Sequence, residues 1–202
     1  ILGINTGRLG FISSVSAGQI DDSITDILKG NYKINERTLL SLETDKQLFK
    51  DKNFALNEVA VSKKDTSSMI RIDAYVDDEF LNTYWADGLV VSTPTGSTGY
   101  SLSCGGPIIM PGTNNIIITP NAPHNLNVRP IVIDDNSVIK LKVEDRDQLA
   151  MVSLDSRSRA FDSDTELTIQ KANFKTKIIQ PQNNSFISTI RNKLMWGLDK
   201  RS

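Results

Sequence analysis

Through the middle of the chain, apolar positions recur at every second residue. In Ile70-Arg71-Ile72-Asp73-Ala74-Tyr75-Val76-Asp77 the apolar side chains alternate with polar ones. Ile139, Leu141 and Val143 alternate with Lys140, Lys142 and Glu144, and Leu167 and Ile169 with Thr168 and Gln170. A period of two predicts strands with one face buried and one wet, as in antiparallel sheets. Asp77-Asp78-Glu79 reads as a turn into a further strand over 80–85. Many short strands in succession, with little helix from 31 to 183, predict a β-sandwich or a related layered all-β structure.

The two ends change period. Ser16 with Gln19 forms a plausible capping box, and Ile20, Ile24, Ile27 and Leu28 then follow at helical spacing until Gly30. In the tail, Ile187, Ile190, Leu194 and Leu198 share one helical face, with Asn184 or Ser185 as cap. A lone amphipathic helix must dock to be stable, and the helix at 16–29 or a part upstream of Ile1 is its expected partner. Residues 1–13 read as strand, the tight turn Thr6-Gly7-Arg8, and an apolar segment ending at Ile12. Ile1-Leu2-Gly3-Ile4-Asn5 resembles the second half of a buried strand, so further residues are expected before it. The only linker-like stretch is Gln180-Pro181-Gln182-Asn183-Asn184, and no internal repeat is present.

Composition narrows the function classes. A net charge of −1 argues against a general nucleic-acid binder. No apolar run approaches the ~18–20 residues that cross a bilayer. One cysteine, Cys104, excludes an internal disulfide and a multi-cysteine zinc site, and it fits a reducing, cytoplasmic setting.

The richest chemistry lies in Ala86 to Pro107, ADGLVVSTPTGSTGYSLSCGGP. The apolar run Leu89-Val90-Val91 feeds a loop containing Thr95, Gly96, Ser97, Thr98 and Gly99. Such a loop leading into a helix start suits an anionic or nucleotide-like ligand, and Tyr100 offers a ring to a base. The same residues also read as a capped helix, with Ser97 or Thr98 as N-cap and Gly105-Gly106-Pro107 as stop. Asn57-Glu58 interrupts an apolar strand. An amide beside a carboxylate can grip a vicinal diol, as in ribose recognition, or it can simply be a strand entry in water. Asn5-Thr6-Gly7-Arg8-Leu9-Gly10-Phe11 is either a ligand-binding turn or a turn with two structural glycines.

His124, between prolines and asparagines, reads as a surface or turn histidine rather than a general base. Arg157 and Arg159 either meet phosphate or flank a polar hairpin turn. There is no G-x-x-x-x-G-K-[ST] loop, no G-x-G-x-x-G turn, no G-x-S-x-G elbow and no cluster with metal-ligand spacing.

Taken in order, NTGRLGF at 5–11, Asn57-Glu58, ADG at 86–88, TPTGSTGYSLSCGGP at 93–107 and TPNAPHNLNVRP at 119–130 resemble the NAD kinase family. The resemblance covers nearly the whole chain. It implies phosphoryl transfer from ATP, or in some members polyphosphate, to the 2′-hydroxyl of the adenosine ribose of NAD, giving NADP. It implies Mg²⁺ or another divalent metal with ATP, and a cytoplasmic homo-oligomer, often a tetramer, whose NAD site draws on more than one subunit. The implied fold is mainly β. Residues 1–30 would be a remnant of an α/β ATP-side domain, 31–183 a β-sandwich NAD-binding domain, and 184–202 a helix returning to the α/β part. By motif position, Phe11 would lie near NAD, Asn57 and Glu58 would bond the dinucleotide, and Asp87 would contact it. Thr98, Gly99, Tyr100 and Ser103 would line the adenosine pocket.

Two departures stand out. Asp155-Ser156-Arg157 stands where the family commonly has Asp-Gly-Gln. The family's Gly-Gly-Asp-Gly-Thr turn, whose aspartate is the expected proton acceptor, is nowhere in these 202 residues. The catalytic base is therefore expected upstream of Ile1, and the 202 residues alone are expected to be inactive or nearly so. A lipid kinase of the diacylglycerol or sphingosine type and a non-catalytic nucleotide-binding β domain are the alternatives. The hydroxyl- and amide-rich candidate pocket favours a nucleotide over a lipid.

Overall fold

A computed structural model describes residues 1–6, 11–13, 15–64, 68–144, 149–181 and 185–196. The strands are β1 (Ile4–Asn5), β2 (Val15–Ser16), β3 (Tyr32–Glu43), β4 (Phe54–Ala55), β5 (Glu58–Lys63), β6 (Ile70–Val76) and β7 (Glu79–Ala86). They continue with β8 (Gly88–Ser92), β9 (Asn115–Asn121), β10 (Ile131–Asp134), β11 (Ile139–Glu144), β12 (Leu149–Leu154), β13 (Arg157–Asp162) and β14 (Leu167–Pro181). Three α-helices, α1 (Ile20–Leu28), α2 (Tyr100–Ser103) and α3 (Phe186–Lys193), are found among the described residues. The chain divides into two compact units: Ile1–Arg37, Met110–Gly112 and Thr176–Ser202, and separately Thr38–Ile109 with Thr113–Lys175.

The larger unit is the expected β-sandwich. One sheet has the order β10-β9-β8-β5-β12-β13 and the other β4-β3-β14-β11-β6-β7. Val59, Val61, Leu89, Val91, Ile116, Ile118, Val152 and Leu154 of the first sheet meet Leu40, Ile70, Ile72, Ile139, Leu141, Leu167 and Ile169 of the second in one core. Each such side chain contributes about 1.5–3 kcal/mol on leaving water. In β6 and β11 buried residues alternate with partly or fully exposed ones, as their period of two requires.

The strands β5, β8 and β9 differ. Ala60, Val90, Ile117 and Thr119 point away from the core between the sheets, yet they too are buried. The segment after β8 covers them. The Ser101 hydroxyl lies 2.9 Å from that of Thr119, and a Cβ on Gly106 would come within 2.2 Å of Ser101 Oγ.

Two hairpins are made by left-handed aspartates. Asp77 and Asp78 have φ of 52° and 66° in the turn between β6 and β7, a conformation short polar side chains tolerate. Asp155, φ 53°, turns β12 into β13.

In the smaller unit β1 and β2 pair in parallel, and Leu2 bridges Ile179. The expected strand at the start is thus short, with only Ile4 and Asn5 in a ladder. The turn at Gly7 to Gly10 lies outside the described residues. A 3₁₀ turn at Ala17–Gln19 precedes α1, and the Ser16 N–H donates to the Gln19 side-chain oxygen at 3.3 Å. α3 is capped by Ser185, whose Oγ accepts from Ser188 N–H at 3.1 Å. Its buried face carries Ile190, whereas Ile187, expected on that face, is exposed, and Leu198 lies outside the described residues.

Candidate functional site

The site is built where β8 ends and β5 begins. These strands are antiparallel neighbours with Glu58 opposite Ser92, so the loop at 93–99 emerges beside Asn57 and Glu58. Thr93 ties the two together. Its N–H donates to Asn57 O at 2.9 Å, its hydroxyl donates to Leu56 O at 2.7 Å, and Oγ1 accepts from Gly96 N–H at 3.1 Å. A Cβ on Gly96 would sit 2.0 Å from Asn57 O. Only glycine fits so close an approach of two backbones. A Cβ on Gly99 would lie 3.0 Å from Glu58 Oε2.

Several hydroxyls of the loop are consumed by the fold. Ser97 is fully buried; its Oγ donates to Pro94 O at 2.7 Å and accepts from Ile109 N–H at 3.0 Å. The expected Ser97 or Thr98 cap is overturned: the N-cap of α2 is Gly99, with no side-chain cap. Ser97 and Thr98 instead form a preceding 3₁₀ turn, closed by hydroxyl bonds back to the carbonyls of Pro94 and Thr95. Thr98 remains partly exposed and Ser103 exposed.

Glu58 is the site's most unusual group. The N–H of Tyr100 donates to its carboxylate, while Oε2 is buried with no hydrogen-bond partner. Burial pushes its carboxyl above the usual range, the nearby Asp155 carboxylate adds to the rise, and the Tyr100 N–H opposes it. An orphaned acceptor of this kind is costly unless a donor arrives.

Asp155 holds the pair in place. Its Oδ2 accepts from Leu56 N–H at 2.9 Å, and its Oδ1 accepts from Asn57 N–H at 2.7 Å and Glu58 N–H at 3.3 Å. In return Asp155 N–H donates to Glu58 O at 3.0 Å. The position where the sequence departs from its resemblance, Asp-Ser-Arg, is therefore a clasp for the 56–58 turn. Arg157 does not wait for phosphate. It donates to the carbonyls of Lys52 and Phe54 and lies over the Phe54 ring.

Tyr100 links the Glu58 end to the other end of β8. Its hydroxyl accepts from Asn121 Nδ2 at 2.9 Å. Burial raises its phenol, with Cys104 and the Asp87 carboxylate adding to the effect. Asp87 is set by its N–H to Asn121 O at 3.0 Å and by an ion pair with Lys63 at 2.6 Å. The Tyr100 ring is 40% exposed, enough to receive a planar group. Asn57, Glu58, Asp87, Thr98, Gly99 and Tyr100 thus share one strip of the larger unit. Phe11 belongs to the smaller unit. His124 is exposed, its N–H donating to Trp85 O at 2.8 Å.

Lys63, Asn121 and Asp155 belong to the strip's supporting frame; Lys63 lay in no quoted motif, and Asn121 and Asp155 lay in the stretches at 119–130 and 155–157 without being given a role. Lys63 carries no spacing signal. Asp155 carried one, a polar turn between two alternating runs, but a turn residue does not announce which backbone it will hold.

The chain is similar to known proteins in sequence and in structure. The family model for the ATP-NAD kinase C-terminal domain matches residues 56–181. The chain is 51% identical over 202 residues to the NAD kinase of Cytophaga hutchinsonii, covering 100% of this chain and 69% of that protein. It is 54% identical over 204 residues to the NAD kinase of Flavobacterium psychrophilum, again covering 100% and 69%. Yeast NADH kinase complexed with NADH superposes with a TM-score of 0.87 at 27% identity, over 99% of this chain and 60% of that one. An NAD kinase from Archaeoglobus fulgidus in complex with ATP gives 0.83 at 27% identity, over 96% and 73%. With a domain match spanning most of the sandwich and full-length likeness at about half identity, the chain belongs to the NAD kinase family.

Proposed function

We propose that this chain supplies the dinucleotide pocket of an NAD kinase, which moves a phosphoryl group from ATP or polyphosphate to the 2′-hydroxyl of the adenosine ribose of NAD. The observation that carries the reading is the orphaned Glu58 Oε2 beside Asn57, facing a loop with no room for a Cβ at Gly96. A vicinal diol supplies the donors that a buried carboxylate lacks, and the Asn57 amide can answer a hydroxyl oxygen. Tyr100 receives the adenine on its exposed ring. Gly99 and Thr98 keep the backbone close to the sugar, and Ser103 edges the pocket. Asp87 contacts the same dinucleotide and Phe11 lies near it, as their motif positions imply.

Phosphoryl transfer rests on positioning and charge stabilisation. The described residues contain no group of three or more His, Cys, Asp or Glu that could hold a metal. In this reading Mg²⁺ or another divalent metal comes with ATP. The 202 residues bind and orient the acceptor ribose, and the proton acceptor is not among them.

The working protein is a cytoplasmic homo-oligomer, a tetramer in this reading. Trp85 and Leu126, 54% and 83% exposed, give the sandwich the apolar surface that subunit contact requires.

Calorimetry with NAD tests the reading. NAD should bind saturably, and NAD lacking the ribose 2′-hydroxyl should bind about tenfold or more weakly. Asn57→Ala should lose a similar factor. Equal affinity for the two dinucleotides overturns the ribose assignment. NADP made at ordinary kinase rates by the 202 residues alone overturns the placement of the base.

A further inference from the structure

Alternate residues of β5 and β8 point to opposite faces of their sheet. Val59, Val61, Leu89 and Val91 face the core between the sheets. Ala60 and Val90 face the other way, and Glu58 and Ser92 share their parity. Glu58 and Ser92 also stand directly opposite each other in the ladder. At its two ends, Thr93 N–H donates to Asn57 O at 2.9 Å and Lys63 N–H to Asp87 O at 3.0 Å, so the odd-numbered pairs are the hydrogen-bonded ones. Glu58 and Ser92 therefore form a non-hydrogen-bonded pair. In such pairs the Cα atoms approach to about 4.5 Å and the side chains lie closest.

Both side chains end in an unanswered atom. Ser92 is fully buried, and its Oγ has no hydrogen-bond partner. Glu58 Oε2 is buried and unpaired as well. The neighbouring hydroxyls are committed elsewhere: Thr93 donates to Leu56 O, Ser97 donates to Pro94 O, and Ser101 is joined to Thr119. On its other side Ser92 faces Ile117 of β9, which offers no polar side chain. A donor without an acceptor thus stands opposite an acceptor without a donor, and a serine hydroxyl changes direction by turning about single bonds. Buried polar groups in native proteins are paired. The titratable groups that face the Glu58 carboxylate are Asp155 from the turn between β12 and β13, and Tyr100 and Cys104 from α2 and its end.

We propose that Ser92 is a positioning residue for the reaction: its hydroxyl donates to Glu58 Oε2 and holds that carboxylate toward the ribose. The inference rests on the reading of Glu58 as a ribose ligand. A carboxylate oxygen accepts two hydrogen bonds, so Ser92 takes one lone pair from within the fold and leaves the other to a sugar hydroxyl. Ser92 acts only through Glu58. Its bond favours the ionised carboxylate, against the burial and the Asp155 charge that disfavour it.

The test follows the Glu58 side-chain carboxyl carbon of the 202-residue chain by NMR as pH is varied, with calorimetry of NAD binding at each pH. In the free chain Ser92→Ala should move the Glu58 titration up by about one pH unit. Ser92→Cys, whose thiol is a weak donor, should move it the same way by less. The pH dependence of NAD affinity should move with it: Ser92→Ala binds about tenfold more weakly on the acidic side and regains wild-type affinity on the alkaline side. A merely structural contact would lower affinity equally at every pH. Backbone spectra report that each variant is folded. An unmoved Glu58 titration in folded Ser92→Ala overturns the proposal, as does a loss of affinity that is uniform in pH. A moved titration with NAD affinity unchanged at every pH shows the Ser92–Glu58 contact but overturns the ribose reading, and with it the role in positioning a sugar.

Discussion

The two sheets of the sandwich share one core but differ on their outer faces. In β6 and β11 the outer face is polar: Arg71 pairs with Asp73 and Glu144, and Lys142 with Glu166. In β5, β8 and β9 the outer face is Ala60, Val90, Ile117 and Thr119, all buried. The sequence records the contrast. Wet-faced strands alternate, whereas Val59-Ala60-Val61, Leu89-Val90-Val91 and Ile116-Ile117-Ile118 run without interruption. An uninterrupted apolar run in an antiparallel sheet marks a strand covered on both sides. Here the cover is the segment that carries Gly96, Gly99 and Tyr100. The candidate site therefore sits where a loop is packed like a core.

The sharpest way to break this comparison is to remove a side chain from the second buried face. Ile117→Ala should cost about 2–5 kcal/mol in urea unfolding, as much as Ile118→Ala on the inner face. A cost near zero would mean the outer face is not packed. Next comes the clasp. Asp155→Ala deletes the acceptor of three N–H groups and should cost about 1.5–3 kcal/mol while weakening NAD binding. Unchanged binding would separate the clasp from the site. Gly96→Ala forces a Cβ against Asn57 O and should cost about 1–3 kcal/mol, with NAD affinity falling further than stability. On the wet face, Lys142→Ala should cost less than about 1 kcal/mol.

Glu58 adds a pH signature. Its folded carboxyl titrates above its unfolded value of about 4.5. Between the two pKa values the folded state holds more protons than the unfolded one, so the slope of stability with pH is negative. The contribution is fully present below the unfolded pKa and is lost as pH rises through the folded one. Glu58→Gln should flatten that decline in stability measured across mildly acidic pH. It should also remove a rise in NAD affinity over the same range, because hydroxyl donors favour the ionised carboxylate. A variant that keeps the wild-type slope would place the titration elsewhere.

Much of this was legible in the sequence. The alternation of Ile70, Ile72 and Ala74 located β6 and its face, and the paired aspartates at 77 and 78 located its turn. Gly96 and Asn57-Glu58 pointed to chemistry, though a spacing of some forty residues says nothing about contact. Their meeting depends on antiparallel register between β5 and β8, which side-chain pattern alone does not fix. The misassigned cap at Ser97 has a similar origin. A serine beside a helix start reads as a cap, but here burial against Ile109 and Pro94 took the hydroxyl first. Ile187 was placed on the buried face of α3 because three-residue spacing admits it, yet Ile190 alone of the pair is buried.

The central claim is that Glu58 and the loop bearing Tyr100 serve one sugar. It is tested most directly by following the Glu58 side-chain carboxyl carbon and the Tyr100 N–H by NMR during a single NAD titration. The account predicts that both signals move in one saturable step with the same dissociation constant. If either stays still at saturation, or the two report different constants, the shared ribose site does not exist.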